Sequence, residues 1–383
     1  MILEYELTAE DVRQAVLNTL KDHLSLETEG YSCTTEMTLN VLLKAAVDRS
    51  SLEAACADLE HVASSNRLRE QLNHALDVAD LRQHEGELNA ALASAIPGHL
   101  ARSGLEIAID WHDEPFYGKT PELRTYTCRS QAKQGTTRFV RIATAYLMWR
   151  DVRLTLAMTY VLPEHSMLEV AQRLLQRLTI LEFRQMTLFL DKGFCCGEVI
   201  RYLQAQRQPA ILACAIRGKT GGTRALCTGR KSYRTTYTFT DGTTVDVALV
   251  ATLPRGRDGH RRRKWLLFVL VELDWSPQLC KARYRRRFGI ECSYRQGRQV
   301  RIKTNSMNPA LRFFCLGLAL VLVNVWIALR WTFARQRGRG PRRVDPDRFR
   351  FHRFVHFLMR AIEHAFGVPM SIPTHRSPQF VIY

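Results

Sequence analysis

The sequence predicts a mixed α/β protein, in which an all-helical N-terminal domain precedes a sheet-containing domain with a β-rich insertion. Three observations support this prediction. Helical periodicity fills most of residues 1–95, and strand-like apolar runs alternate with helical segments from residue 105 onward. Strands rich in Thr, Tyr, Gly and Arg then occupy residues 217–275. Strands that alternate with helices typically form a mixed sheet with helices on its faces.

Charge is unevenly distributed along the chain. The 383 residues carry a net charge of +18, but residues 1–100 carry −10 and the remaining residues carry +28. A surface this basic indicates a polyanionic partner. Nucleic acid is the predicted partner, and an anionic membrane is the alternative. With 46% hydrophobic and 24% charged residues, the composition excludes a collagen, a coiled coil or an acidic disordered tail.

The N-terminal domain is predicted to span residues 1–97 and to end near Pro97. A short helix, a tight turn and a longer helix that starts at Ser65 outline a helix-turn-helix. The outward face of the longer helix would present Arg67 and Arg69 to a DNA major groove. The alternative is an acidic helical bundle used for docking or dimerisation, which the negative charge of this domain favours.

The second domain is predicted from residues 104–216 and 277–335. Its elements are strands at 105–111, 137–149 and 153–162, a helix at 166–182, a strand at 186–191, a helix at 195–206 and a strand at 210–216. Three strands in a meander, followed by helix–strand–helix–strand, is the element order of the ribonuclease-H-like fold. The sequence therefore predicts a ribonuclease-H-like mixed sheet.

Two further segments complete the predicted organisation. Residues 217–276 read as a β-strand insertion domain with basic turns, and residues 336–383 as a basic C-terminal tail with a helix. The uncharged run at 313–329 is at the short limit for a membrane span and contains Asn324. We interpret it as the buried helix of a large core.

Two aspartates are the first candidates for chemistry. Asp110 ends the first predicted strand of the sheet, and Asp191 ends the fourth. In the predicted topology these strands are neighbours, so both carboxylates would emerge at one edge. Mg²⁺ prefers such oxygen ligands, and two ions can hold the attacking and leaving oxygens of a phosphoryl transfer. Taken singly, each aspartate is more typical of a turn.

The segment YRRRFGIECSYRQGR supplies a third acid. Tyr284, Arg287, Glu291 and Arg298 follow one another at steps of three, four and seven residues, which places all four on one face of a continuous helix. An acid among so many arginines suggests a carboxylate for metal beside cations for phosphate. The alternative is an arginine-rich helix with a solvated face and a tyrosine in the core.

These residues together resemble the DDE transposases of bacterial insertion sequences, in the group marked by a Tyr-x2-Arg-x3-Glu-x6-Lys signature. Asp110 matches the first catalytic aspartate of that family, Asp191 in LDKGF matches the second, and Glu291 matches the glutamate. Tyr284 and Arg287 match the signature. Arg298 stands where the family usually has Lys, which keeps the charge but exchanges a point donor for a planar fork.

The resemblance implies an enzyme that moves DNA by a cut-and-paste route. It implies metal binding by the three acids, with two Mg²⁺ ions or Mn²⁺ as a substitute, and cleavage at element ends through a hairpin intermediate. It also implies strand transfer into target DNA by a homodimer on paired ends. The partners would be double-stranded DNA, both the terminal inverted repeats and the target. We expect a cytoplasmic, nucleoid-associated protein that contacts no membrane.

The resemblance also assigns DNA contacts. Arg287 and Arg298 would bind phosphates near the cut, and Tyr284 would bind a phosphate at the strained end. Lys192 contacts phosphate or faces solvent. Trp265, in the basic insertion, stacks on a flipped base or packs in the core.

Two other functions remain open at this stage. One is a catalytically silent, transposase-derived regulatory protein that binds DNA, which the presence of all three acids disfavours. The other is a structure-specific nuclease or resolvase on the same fold.

Overall fold

The computed structural model describes residues 6–26, 33–98, 100, 104–149, 152–255, 260–336 and 343–371. Its helices are α1 (Ala9–Lys21), α2 (Thr35–Val47), α3 (Leu52–Ala57), α4 (Ser65–Ala75), α5 (Leu81–Ser94), α6 (Met167–Ile180), α7 (Gly197–Ala205), α8 (Pro277–Tyr284), α9 (Gly289–Gly297), α10 (Pro309–Phe333) and α11 (Phe351–Phe366). Its strands are β1 (Glu106–Pro115), β2 (Cys128–Lys133), β3 (Thr136–Leu147), β4 (Thr155–Val161), β5 (Thr187–Leu190), β6 (Ala210–Cys214), β7 (Tyr233–Thr238), β8 (Thr244–Thr252) and β9 (Lys264–Val271).

Side-chain caps start several of the helices at the predicted positions. Thr8 and Asp11 form a capping box at α1, in which each side chain accepts from the other residue's backbone N–H. Helix α4 begins after Ser64, whose hydroxyl accepts from the Arg67 backbone N–H, so the cap lies one residue before the predicted Ser65. The N-terminal region is helical, as its periodicity predicts.

The described strands form one mixed sheet in the order β2-β3-β1-β5-β6-β9-β8-β7, with β4 also paired to β3. Strands β1, β5 and β6 run parallel to one another, and β3 and β4 complete an antiparallel meander with β1. This arrangement sets the carboxyl end of β5 beside the middle of β1. The parallel strands are buried on both faces, as their apolar sequences require.

The structure departs from the predicted strands in three places. Strand β1 continues to Pro115, because its polar residues pair across to β3, and β2 was not predicted at all. The strands predicted within 217–276 are present, but β9 pairs antiparallel with β6. They therefore extend the central sheet instead of forming a sheet of their own.

The apolar C-terminal segment forms a buried core helix. Helix α10 is long and apolar enough to cross a membrane, yet its most apolar window is entirely buried within the described protein, where it packs against α5, α9 and β4. Helix α11 packs on α1 and α2, and Glu363 pairs with Lys44 at 2.6 Å. The chain therefore returns to its N-terminal helices. Residues 337–342 and 372–383 of the predicted tail lie outside the described residues.

Hydrogen bonds accommodate the polar side chain of Asn324 in this apolar helix. Its amide accepts from the Thr155 backbone N–H at 3.0 Å and donates to the carbonyls of Thr155 at 2.8 Å and Leu92 at 3.3 Å. It thus ties α10 to β4 and α5. We expect Asn324→Ala to lower the free energy of unfolding by about 3 kcal/mol, because buried backbone groups lose their partners. Urea denaturation measures this, and the exposed Asn66→Ala should change stability by less than about 0.5 kcal/mol.

Candidate functional site

Asp110 and Asp191 lie side by side in the structure, but Asp110 lies within β1 and does not end it as predicted, because β1 stays paired with β3 as far as Pro115. Ile109 of β1 is the parallel partner of Leu190 of β5, so the two aspartates follow at the next position of each strand. The Asp191 backbone N–H donates to the Ile109 carbonyl at 3.3 Å, at the point where the pairing of β1 with β5 ends. Two carboxylates therefore share the carboxyl edge of the parallel strands.

The guanidinium of Arg287 bridges these two carboxylates. Its Nη1 donates to Asp110 Oδ2 at 2.9 Å, and its Nη2 donates to Asp191 Oδ1 at 3.0 Å. The Arg287 side chain is only 8% exposed. Its Nε is buried and has no hydrogen-bond partner among the described residues. The hydrogen bonds to the two aspartates therefore hold the guanidinium in place. Arg287 was predicted to bind a DNA phosphate, but its charged group instead lies between the two aspartates.

Burial dominates the ionisation of Asp110. It raises the pKa of this carboxyl to about 6; the charge of Arg287 opposes the shift, and the charge of Asp191 adds to it. Asp110 also accepts a 2.9 Å hydrogen bond from the Trp111 backbone N–H. Burial thus favours the neutral form of Asp110, and the charge of Arg287 offsets part of that effect.

The continuous helix predicted for YRRRFGIECSYRQGR, residues 284–298, is interrupted. A short 3₁₀ turn over Arg285–Phe288 separates α8 from α9, and this turn carries Arg287 into the interior. Tyr284 is buried as well, and its hydroxyl donates to the Leu190 carbonyl at 2.9 Å. The Tyr284 hydroxyl therefore faces the sheet and not the surface, where a DNA phosphate would bind. Burial raises the pKa of this phenol.

The four signature residues do not share one face, contrary to the prediction. Helix α9 buries Ile290, Ser293 and Gly297, and Glu291 lies beside that stripe on the exposed side. Arg298 is exposed too. The reason is the change of pitch, because a 3₁₀ turn has three residues per turn and shifts the rotation of everything after it.

The structure brings together two of the three predicted metal ligands. Among the described residues, no group of three or more His, Cys, Asp or Glu side chains could hold a metal ion. Glu291 is exposed on α9, and Lys192 is exposed immediately after Asp191.

Helix α9 nevertheless packs against the strand that carries Asp110. The Tyr294 hydroxyl lies 2.6 Å from the Thr144 hydroxyl and donates to the Asp110 carbonyl at 3.5 Å. Glu291 precedes Tyr294 by three residues, so it lies within one helical turn of this contact. His112 stacks on Tyr294 at 4.8 Å, and burial lowers the pKa of His112 to about 4, which leaves it neutral.

A glycine contact that the sequence analysis missed shapes the other side of the site. The Cβ of any larger residue at Gly193 would lie 2.1 Å from the Trp111 ring, so only glycine fits there. Trp111 and the segment after Asp191 are thereby packed together. The signal in the sequence was the glycine that follows Asp191 and Lys192.

Arg67, Arg69 and Trp265 are the remaining residues predicted to contact DNA. Arg67 and Arg69 lie on the exposed face of α4. Trp265 is half-buried and packs edge-on against Tyr233, with ring centres 6.3 Å apart. Asp113 lies within β1 and forms a two-point ion pair with Arg141 at 2.6 and 2.9 Å.

Among the comparisons with known proteins, the comparison of structures gives a match and the comparisons of sequence do not. No protein-family model matches the chain, and no curated protein matches it. The structure is similar to that of a piggyBac transposase, solved by cryo-EM as a synaptic complex with hairpin DNA. The TM-score is 0.55 at 11% sequence identity, over 96% of this chain and 81% of that chain. At this identity the similarity concerns the fold, and the chain has a transposase-like fold.

Proposed function

We propose that this protein is a DDE transposase that cuts DNA at the ends of its element and joins them to target DNA. The observation that carries the proposal is the pair of carboxylates, Asp110 and Asp191, at adjacent positions just beyond the parallel pairing of β1 with β5 in a transposase-like fold. The strand order β4-β3-β1-β5-β6 supports a ribonuclease-H-like assignment of the sheet. A net charge of +28 after residue 100 supports DNA as the substrate.

The donors at this edge suit a divalent cation. Mg²⁺ is bound through one or two carboxylates together with substrate phosphates, and Asp110 and Asp191 offer hard oxygen ligands. A single guanidinium already reaches both carboxylates, which supports the view that one cation can be shared between them. Two Mg²⁺ ions, or Mn²⁺, would supply Lewis-acid stabilisation of the oxygens that attack and leave.

The chain's own residues would hold and orient the DNA. Asp110 and Asp191 hold the cations, and Glu291 on α9 supplies the third carboxylate. Arg298 and Lys192, both exposed, bind backbone phosphates next to the cut. Arg287 balances the charge of the two aspartates before the cations arrive. We further propose a hairpin route and a homodimer on paired ends, in keeping with the signature residues.

The test is a cleavage assay on duplex DNA that carries the ends of the element encoding this chain. We expect the wild type to cut in Mg²⁺ but not in EDTA, and Glu291→Ala to bind the same DNA without cutting it. Analysis of the product strands then shows whether a hairpin forms. Binding without cutting by the wild type itself would instead support the catalytically silent regulatory protein.

We also propose that α4 contacts the element ends. Asn66, Arg67, Arg69 and Asn73 are exposed on one side of it, after the short helix α3. Arg67→Ala/Arg69→Ala is expected to weaken end-specific binding at least about tenfold, because base contacts by arginine contribute about 1–3 kcal/mol each. Fluorescence anisotropy measures the loss. Arg82→Ala, an exposed arginine on neighbouring α5, is the matched control and should bind as the wild type does.

A further inference from the structure

Four arginines line an open cavity at the β2 edge of the sheet, away from the two aspartates. Arg124 precedes β2, Arg129 lies on β2, and Arg138 and Arg141 lie on β3; the cavity has a volume of about 710 Å³. We refer to it as the arginine cavity. Its walls also include Thr125, Thr127, Pro163 and Glu164.

The described wall of the arginine cavity holds four arginines and a single acid, Glu164, so it carries excess positive charge. Asp113 neutralises Arg141 through its two-point ion pair, whereas Arg138 donates only to the uncharged Thr127 carbonyl at 3.3 Å. Arg129 sits directly opposite Arg138 in the antiparallel register of β2 and β3. Like charges at opposed positions destabilise a sheet. An anion bound between these side chains would remove that repulsion.

Arg141 connects the cavity to the aspartate edge. Alternate residues of β1 face opposite sides, so Trp111 and Asp113 lie on the face away from Asp110 and α9. The Arg141 guanidinium lies over the Trp111 ring at 4.7 Å, and Trp111 in turn packs on Gly193, two residues after Asp191. Asp113 is three residues beyond Asp110, which is about 10 Å along the strand.

We propose that the arginine cavity binds the phosphodiester backbone of a DNA segment that runs past the aspartate edge. The proposal rests on the proposed function, since it assigns a second contact to the same substrate. The arginines of the cavity suit a phosphate, because guanidinium forks match phosphate oxygens and contacts to the DNA backbone carry no sequence information. It would therefore contribute affinity that does not depend on DNA sequence.

The experiment measures how salt weakens the binding of a fluorescein-labelled duplex of mixed sequence to the full chain. Anisotropy titrations between about 50 and 200 mM NaCl give the slope of log K against log salt. Arg124→Ala/Arg129→Ala removes two exposed cations whose loss spares the core. Its slope should be smaller in magnitude by about 2, because each phosphate contact contributes about 0.9. The matched control is Arg184→Ala/Arg207→Ala, two exposed arginines that precede β5 and β6 at the far end of the sheet.

The outcomes separate this proposal from the proposed function. A reduced slope for the cavity variant, with the control unchanged, supports the cavity as a backbone site. Equal slopes for the wild type and the cavity variant overturn it and leave the cleavage proposal standing. An equal reduction in the control variant also overturns it, because the effect then follows net charge alone. A wild type that binds no DNA at any salt concentration overturns both proposals. Binding of inorganic phosphate in calorimetry, with an unchanged DNA slope, would instead assign the cavity to a small anion.

Discussion

Asp191→Asn is expected to lose DNA cleavage by about 10³-fold while the protein stays folded. The carboxylate oxygens of Asp110 and Asp191 are the ligands proposed for divalent cations, and the amide that replaces one of them carries no charge. Loss of several kcal/mol of transition-state stabilisation corresponds to a factor of this size. The fold should survive because Arg287 keeps its 2.9 Å contact with Asp110.

A second readout for this variant does not depend on activity. A ligand that binds only the folded state raises the melting temperature, so Mg²⁺ or Mn²⁺ should stabilise the wild type and not Asp191→Asn. Asp113→Asn is the matched control, since it removes a carboxylate from β1 on the opposite face and in contact with Arg141. The metal assignment would be wrong if Asp113→Asn lost the stabilisation as fully as Asp191→Asn did.

Arg287→Met is expected to lower the free energy of unfolding by about 3–5 kcal/mol without divalent cations. Methionine keeps much of the apolar stem but removes the charge that the two aspartates share, and an uncompensated buried charge is costly. The effect should be measured well above pH 6, because burial already raises the pKa of Asp110 to about 6 and loss of the Arg287 charge raises it further. Urea denaturation with and without Mg²⁺ is the measurement.

Added Mg²⁺ should restore much of the stability that Arg287→Met loses, because the metal ion then balances the charge of the two carboxylates in place of the guanidinium. For the same reason the variant should bind Mn²⁺ more tightly than the wild type, since no guanidinium competes for the oxygens. Arg298→Met serves as the control, because Arg298 is exposed and its loss should leave stability nearly unchanged. A loss of stability that divalent cations do not reduce would contradict the shared-charge account and point to lost packing alone.

Periodicity and capping chemistry were sufficient to predict most elements of the fold. The helices of the N-terminal region, the meander, the parallel strands and the buried helix α10 all follow from apolar spacing that matches one face of a helix or the interior of a sheet. The pairing of β9 with β6 was not predictable in this way. Strand partners are chosen by tertiary contacts, and the apolar run of β9 would suit a separate sheet equally well.

The candidate site, too, was predictable only in part. Asp110 and Asp191 were predictable because each follows a buried apolar run, and the parallel pairing of β1 with β5 brings the two positions together. The role of Arg287 was not predictable, because a one-turn change from α-helix to 3₁₀ turn decides whether it faces DNA or the two acids. The energy of the buried charges sets that choice: two carboxylates at a partly buried edge require a cation, and Arg287 is placed to provide it. Local sequence thus specified where the acids lie, and only the three-dimensional packing of charges decided what lies between them.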